Sequence, residues 1–258
     1  MSRGSTTALR TTCAAVAVAT IAALALPSAA AAGPARPPLT LDDCFENTAF
    51  FPIPSDDARL YLPTGFEPAA APADQESTTN FYVRSLVCGD PAAPAVEMVT
   101  TYIAVNPPKR LAPRRGSELF IVDSGAEGPG AAALEDALCL GSILEDASID
   151  VTQQRAQSPL GFGPEAGVAR TSVTSGFLTT DFTVAAEGST TPMRDWARWF
   201  YGDGRTYFDA YYELSVWGIG SSAVTFTQPY LELPPAAGGA SVQSLADISI
   251  TPPRGCKG

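Results

Sequence analysis

The chain has 258 residues, of which 27 are acidic and 16 basic, so its formal net charge is −11. It contains no histidine, which excludes a Ser-His-Asp triad, a Cys-His pair and an HExxH zinc site from this chain. The acidic balance argues against nucleic acid and anionic membrane surfaces as partners.

The first 32 residues have the pattern of a signal peptide. Arg3 and Arg10 make a positive start, Ala14–Leu26 is an apolar run, and small residues at 28–32 suit cleavage. The run is shorter than the about 20 residues of a membrane-spanning helix. We therefore expect residues 1–32 to be removed and the protein to be secreted to the extracellular space, without a stable membrane anchor; an uncleaved anchor is the alternative.

Four cysteines follow the predicted signal peptide: Cys44, Cys88, Cys139 and Cys256. An even number of cysteines in an exported chain predicts disulfides. Their wide spacing does not match CxxC zinc or redox motifs, so no metal site is predicted. Of the three pairings that four cysteines allow, we expect Cys44–Cys256 and Cys88–Cys139, but the sequence does not decide among them.

Residues 33–258 are predicted to form one domain, of which residues 33–41 are a short Pro-rich linker. A short helix is predicted over 56–61 and a longer one over 131–145. Segments rich in Val, Thr, Phe and Tyr, bounded by turn residues, predict strands at 80–88, 95–105, 117–123, 148–154, 168–185 (bent near Gly176), 206–217, 222–228 and 245–251.

This order of elements predicts a mainly β (α+β) fold, a closed or partly closed antiparallel β-barrel with one or two packed helices. A lipocalin-like barrel or a plain sandwich is the alternative. A further helix is predicted over 192–200, because Pro192 suits a first turn and Trp196, Trp199 and Phe200 have helical spacing.

The segment after the short helix reads Leu62-Pro63-x-Gly65-Phe66-x-Pro68. Together with the strands, the Pro107-Pro108 pair and the helix that follow, it resembles the opening of acetoacetate decarboxylase-like proteins. There, a helix and an LPxxFxP segment lead into a strand of a cone-shaped β-barrel. The resemblance covers about residues 50–150 in pattern and implies that barrel fold.

The resemblance does not extend to the chemistry of that family. Its decarboxylases form a Schiff base on one lysine, and a neighbouring lysine lowers the pKa of the first. The mature chain has only Lys109, in a predicted loop, and Lys257, in the C-terminal tail. Decarboxylation through an imine is therefore disfavoured, no cofactor is predicted, and a shared fold does not imply a shared function.

The strand 206–217 has an apolar face of even-numbered residues and a mixed face of odd-numbered ones. If the odd face lines a barrel lumen, it provides a ligand cavity with Asp209, Tyr211, Glu213 and Trp217. The alternative is an outer face, which is where polar residues of antiparallel sheets usually lie.

Three further candidates lie on the neighbouring strands 80–88 and 95–105: Arg84, Glu97 and Tyr102. An inward Arg84 beside an inward Glu97 would bind a carboxylate or act as an acid/base pair. The alternative is an exposed cross-strand ion pair.

These observations favour a secreted binding protein that holds a small apolar or carboxylate-bearing ligand in a barrel. The first alternative is a secreted lyase- or hydrolase-like enzyme that uses carboxylate, arginine and tyrosine side chains. The second is an extracellular interaction module without a pocket, in which aromatic residues around Trp196–Tyr201 are exposed.

Overall fold

The computed structural model describes residues 37–71, 77–89, 95–112, 116–140, 150–154, 168–174, 178–185, 192–226 and 236–253. The strands in these residues are β1 (Leu39–Pro54), β2 (Glu67–Pro68), β3 (Thr78–Cys88), β4 (Val96–Asn106), β5 (Ser117–Glu127), β6 (Asp150–Gln154), β7 (Val168–Thr174), β8 (Leu178–Ala185), β9 (Pro192–Tyr201), β10 (Thr206–Phe226) and β11 (Ala236–Thr251). The helices are α1 (Ser55–Arg59) and α2 (Ala131–Leu138). No helix of this part of the chain is long and apolar enough to cross a membrane.

Seven strands close into a barrel in the order β11-β1-β3-β4-β5-β9-β10, and β10 pairs again with β11. Neighbours in this ring are antiparallel except β5 and β9, which run parallel and pair Ser117–Phe120 with Ala197–Phe200. We call this parallel contact the seam. Beyond β10, strands β8, β7 and β6 continue the sheet outside the ring. The predicted β-barrel is confirmed, and it is mixed rather than wholly antiparallel.

The barrel strands bury side chains on both faces. One face points into the lumen, where the largest fully buried residues are Leu86, Leu134, Leu138, Leu140 and Ile248. The other face is covered by α1 and the segment after it, and contains Phe81, Val83, Val99, Ile103 and Phe200. Each such side chain contributes about 1.5–3 kcal/mol when fully buried, so two cores stabilise one sheet.

The Leu-Pro-x-Gly-Phe motif has a structural role on the outer face. Gly65 has a φ of +93°, a backbone conformation that favours glycine, and the N–H of Phe66 donates to the carbonyl of Pro63 at 3.1 Å. This turn directs the ring of Phe66 into the outer core, 5.1 Å from that of Phe200. The motif therefore fixes how α1 covers the barrel.

The structure confirms the short helix before this motif, the helix that begins at residue 131, and the strands predicted at 80–88, 95–105, 117–123, 148–154 and 245–251. The longer helix ends at Leu138, because Cys139 adopts the left-handed conformation. Residues 141–145 of that prediction, and residues 148–149 of the predicted strand 148–154, lie outside the described residues.

The helix predicted over 192–200 is wrong, since these residues form β9. Trp199 faces the lumen and Phe200 faces the outer core. Trp199 and Phe200 are buried on opposite faces of the strand and Trp196 is exposed, so the three aromatic residues have helical spacing without sharing one buried face.

Three strand boundaries also differ from the prediction. In place of the one bent strand predicted over 168–185, residues Val168–Thr174 and Leu178–Ala185 form two antiparallel strands, β7 and β8. The predicted strand 206–217 and residues 222–226 of the predicted strand 222–228 belong to one strand, β10, which contains an irregularity between Val216 and Gly218. The linker predicted over 33–41 ends earlier, because β1 begins at Leu39.

A disulfide joins Cys44 to Cys88, so the expected pairings Cys44–Cys256 and Cys88–Cys139 are wrong. The cause is β1, which the sequence patterns did not reveal. Its register on β3 places the two cysteines opposite each other, with their Cα atoms 3.9 Å apart. Cys139 is disulfide-bonded as well, and Cys256 lies outside the described residues.

Candidate ligand-binding site in the barrel

A group of polar side chains meets inside the barrel, although the lumen is otherwise apolar. It consists of Glu46 from β1, Arg84 from β3, Tyr102 from β4, Trp199 from β9 and Tyr212 from β10. Each comes from a different strand, because in a closed sheet every second residue of each strand points inward. These five residues are called the lumen cluster below.

The centre of the lumen cluster is an ion pair. Nη2 of Arg84 donates to Oε2 of Glu46 at 2.7 Å, and only 5% and 16% of the two side chains are exposed. Oε1 of Glu46 accepts a second hydrogen bond from the hydroxyl of Thr48 at 3.0 Å. Burial by itself lowers the pKa of Arg84, but Glu46 together with the hydroxyls of Tyr212 and Tyr102 outweighs burial, so the pKa is raised. The guanidinium therefore stays charged at any physiological pH.

Aromatic rings surround this pair. The Cζ atom of Arg84 lies 5.5 Å from the ring centre of Trp199 and 5.3 Å from that of Tyr212. Nε1 of Trp199 donates to the hydroxyl of Tyr212 at 2.9 Å. The ring of Tyr102 stacks on that of Tyr82 at 4.7 Å. The faces of the Trp199 and Tyr212 rings thus stabilise the charged guanidinium of Arg84 in addition to the carboxylate of Glu46.

Burial raises the pKa values of Tyr102 and Tyr212 above that of an ordinary tyrosine. Both hydroxyls are therefore protonated at neutral pH and available as hydrogen-bond donors. Neither is poised to lose a proton near neutral pH.

A cavity of about 210 Å³ opens beside the lumen cluster. Its wall comprises Glu46, Tyr82, Arg84, Tyr102, Ser117, Leu119, Asp195, Ala197, Trp199, Tyr212 and Leu214. A second, deeper void of about 20 Å³ is lined mainly by leucine, isoleucine and phenylalanine side chains, and it shares Arg84, Trp199 and Tyr212 with the first. The deep void has room for about one water molecule. In the part of the lumen that the described residues form, the deep end is therefore packed and the space beside the polar residues is open.

One donor in this site has no partner. Nε of Arg84 is buried and makes no hydrogen bond within the part of the chain that the structure describes. A buried donor without a partner costs about 1–3 kcal/mol. Arg84 is nevertheless part of the cavity wall, so its guanidinium is the cationic donor group next to the cavity.

Comparisons with known proteins bear on this barrel. No family model and no curated protein matches the sequence. Among solved structures, the enduracididine biosynthesis enzyme MppR in complex with pyruvate matches 88% of this chain and 93% of its own, with 13% identity and a TM-score of 0.53. An acetoacetate decarboxylase-like enzyme from Sphingomonas wittichii RW1 matches 83% and 91%, with 14% identity and a TM-score of 0.51.

The barrel has the acetoacetate decarboxylase-like fold. The resemblance carried by the Leu62–Pro68 segment is thus confirmed at the level of the fold, and identities of this size establish no more than that. In this acetoacetate decarboxylase-like barrel, Lys109 lies in an exposed turn after β4 and does not line the cavity. Within the described residues, no cluster of His, Cys, Asp or Glu is arranged to hold a metal ion.

Two of the predicted site residues, Arg84 and Tyr102, lie in the lumen. Glu97 does not share their face of the sheet. Arg84 is opposite Thr100 in the β3–β4 register, so strand alternation points Glu97, three residues earlier on β4, the other way. The ion-pair partner of Arg84 in the lumen is Glu46 instead.

The odd-numbered face of β10 points out of the barrel, because its even-numbered residues Phe208 and Tyr212 are buried in the lumen. Asp209 accepts two hydrogen bonds from Arg198 of β9, at 2.6 and 2.9 Å. On the same outer face, the hydroxyl of Tyr211 donates to Glu213 at 3.0 Å, and Glu213 pairs with Arg194 at 3.1 Å. The side chain of Trp217 lies outside what the structure describes.

The aromatic segment Trp196–Tyr201 is divided between surface and core. Trp196 is 49% exposed and packs on Tyr211, with ring centres 4.6 Å apart. Trp199, Phe200 and Tyr201 are buried. The extended aromatic surface expected of an interaction module is therefore reduced to one exposed ring pair.

Sequence reasoning missed Glu46, Tyr82, Trp199 and Tyr212 as site residues. For Glu46, a usable signal was present: Phe45, Asn47, Ala49, Phe51 and Ile53 alternate with other residues, as expected of a strand. Trp199 was assigned to a helix, and Tyr212 to the apolar face of its strand, without a decision on which face the barrel encloses. Both errors follow from not knowing which face of the strand the barrel encloses.

Proposed function

We propose that this protein is exported and binds a small organic molecule, with a carboxylate or carbonyl oxygen, in the barrel cavity. The observation that carries the proposal is the charged guanidinium of Arg84 in the wall of a cavity of about 210 Å³; one of its donors, Nε, has no partner in the described residues. An oxygen bound against this guanidinium would accept a charge-assisted hydrogen bond, which is stronger than one between neutral groups.

The shape and the surroundings of the cavity agree with this proposal. A pocket with mostly aromatic and apolar walls and a few fixed polar groups is the usual form of a small-molecule site. MppR, which has a similar fold, was crystallised with pyruvate, a small oxo acid. We extend the idea of an oxygen-bearing ligand to this chain on the basis of Arg84, and not of the likeness alone.

The raised pKa values of Arg84, Tyr102 and Tyr212 favour a binding function over the enzymatic alternative. General acid–base catalysis works best when a group titrates near the operating pH. In the lumen, however, the pKa values of Arg84, Tyr102 and Tyr212 are all raised, away from neutrality. These groups hold their protons and can donate hydrogen bonds, which suits recognition better than proton transfer.

The test is a titration of the purified protein with pyruvate and with other small carboxylates and ketones, followed by calorimetry and native mass spectrometry. We expect Arg84→Lys to weaken binding about tenfold or more, because an ammonium group lacks the planar set of donors of a guanidinium. Arg194→Lys, on the exposed outer face, serves as the matched control. Equal affinities for the wild type and Arg84→Lys would contradict the proposal.

Arg84→Lys could also fail to fold, so a second variant is needed. Leu214 is half-buried in the cavity wall and makes no part of the ion pair. Leu214→Trp would fill the cavity while leaving Glu46 and Arg84 in place. Undiminished binding in a folded Leu214→Trp variant would place the ligand elsewhere and overturn the assignment.

Export is supported by the N-terminal pattern and by the Cys44–Cys88 disulfide. Expression of the full chain in a secreting host tests it. Medium containing protein with the mass of residues 33–258 is the expected result, and retention of the whole chain in the cells would contradict it.

A further inference from the structure

We propose that the ligand also carries a positively charged amine, which binds beside Asp195, so that it is a small amino-carboxylate or amino-carbonyl compound. This inference rests on the proposed function and specifies the chemical class of the ligand. Asp195 belongs to the wall of the same cavity but is exposed. It therefore lies where the cavity meets solvent, whereas Glu46 and Arg84 lie deeper.

The first argument is the balance of charge in the cavity wall. The wall contains three charged side chains, Glu46, Arg84 and Asp195. Glu46 and Arg84 neutralise each other at 2.7 Å. Asp195 has no ion-pair partner in the described residues, and one of its oxygens, Oδ1, accepts a hydrogen bond from the backbone N–H of Trp196 at 2.8 Å. The uncompensated charge of the wall is therefore negative.

The consequence for a ligand follows from Coulomb's law. A simple anion would satisfy Arg84 but would add a second uncompensated negative charge to the cavity. A compound with both an oxygen group and an ammonium group would satisfy Arg84 and neutralise Asp195. The chain as a whole has a net charge of −11, which repels anions and attracts cations before they reach the cavity.

The distance of Asp195 from Arg84 indicates how far apart the two polar groups of the ligand should be. Asp195 and Trp199 share the inward face of β9, four residues apart, which corresponds to about 13 Å between their Cα atoms. Arg84 lies against the ring of Trp199. Because the side chains shorten this gap, the amine and the oxygen group of the ligand are expected at opposite ends of a short chain rather than on one carbon.

The experiment compares probes that differ only in the amine: 4-aminobutyrate against butyrate, and 6-aminohexanoate against hexanoate. We expect the amino compounds to bind the wild type about two- to fivefold more tightly, the range of an ion pair with an exposed carboxylate. Asp195→Asn should remove this preference, since asparagine keeps the side-chain oxygen that accepts from Trp196 but not the charge. Glu213→Gln, on the outer face, is the matched control and should keep the preference.

The outcomes separate this inference from the proposed function. If butyrate and hexanoate bind as tightly as the amino compounds, or if Asp195→Asn keeps the preference, the amine site is wrong while the cavity remains the binding site. If Arg84→Lys leaves the affinity of every probe unchanged, or if no probe binds, the proposed function and the inference fail together.

Discussion

Arg84 on β3 and Glu46 on β1 form an ion pair inside the barrel, with 2.7 Å between Nη2 and Oε2 and with both side chains almost wholly buried. The attraction within a buried pair roughly offsets the cost of removing both charges from water. The loss of one partner, by contrast, leaves the other charge buried and uncompensated. Removal of one charged partner should therefore lower the free energy of unfolding far more than replacement of both partners by apolar residues.

We expect Glu46→Gln to lower the free energy of unfolding by about 3–5 kcal/mol, because Arg84 then has no counter-charge. Urea denaturation measures this. Glu213→Gln, which removes a partner from the exposed pair with Arg194, should cost less than about 1 kcal/mol. The double variant Glu46→Leu/Arg84→Met should recover most of the loss, since neither charge remains. Equal losses in the two single variants would contradict this interpretation.

Gly116→Ala tests the packing at the seam. Gly116 has a φ of +90°, and a Cβ atom there would lie 2.0 Å from the carbonyl oxygen of Trp196. We expect a loss of about 3–5 kcal/mol, from backbone strain together with overpacking against a rigid backbone. Gly202 also has a positive φ, of +59°, but its Cβ would meet nothing within 4 Å. Gly202→Ala should therefore cost only about 1–2 kcal/mol in the same thermal or urea measurement, and a cost as large as that of Gly116→Ala would refute the role of the contact.

The Cys44–Cys88 disulfide closes a loop with a sequence separation of 44 residues. We expect the double variant Cys44→Ala/Cys88→Ala to lose about 2–4 kcal/mol of unfolding free energy, because its unfolded chain is less restricted. A reductant also opens the disulfide of Cys139, so the reduced wild type should lose at least as much stability as the double variant. An unchanged urea midpoint in the variant would show that strand pairing alone fixes β1 against β3.

Stability should fall in strongly alkaline solution because of Tyr201. Burial raises the pKa of Tyr201 to about 12, from 10.0, and its hydroxyl donates to the carbonyl of Leu138 at 2.6 Å. A group whose pKa is higher in the folded state contributes full stability below its unfolded pKa and loses it as the pH rises through its folded pKa. The contribution, about 2–3 kcal/mol, should thus disappear between about pH 10 and pH 12.

Urea denaturation of the wild type and of Tyr201→Phe over this pH range measures the effect. The stability of the variant should depend less steeply on pH, because phenylalanine does not titrate. The difference between the two proteins should be largest near neutral pH and smallest at the alkaline end. Parallel curves for the two proteins would contradict the assignment to Tyr201.

The fold class and one residue of the central ion pair, Arg84, could be predicted from the sequence, and the reasons are physical. Strands such as β3 and β4 are rich in Val, Tyr and Thr between turn residues, and Arg84 is conspicuous in them because it is charged. β1 was not predicted, so Glu46 was not placed on a strand and the residue opposite Cys44 could not be identified. Which residue lies opposite which is decided by closure of the barrel, and local periodicity carries no information about it.

The same limit explains the two faces of β10. Alternation along 206–217 is plain in the sequence, but both of its faces contain aromatic rings. Tyr212 turned out to face the lumen and Tyr211 the solvent. Only the curvature of the sheet distinguishes inside from outside, and the curvature depends on the neighbouring strands rather than on the strand itself.

We expect the barrel to open locally at the seam between β5 and β9. Within the described residues, β5 and β9 pair over only four residues each, whereas the other neighbours in the ring pair over at least eight. Ser117, Leu119, Ala197 and Trp199, which form both sides of this short contact, also form part of the cavity wall. Local opening starts where the fewest hydrogen bonds must break. Amide hydrogens of the seam should therefore exchange with solvent sooner than those of β1 and β11, and each such opening would widen the cavity whose wall the seam helps to form.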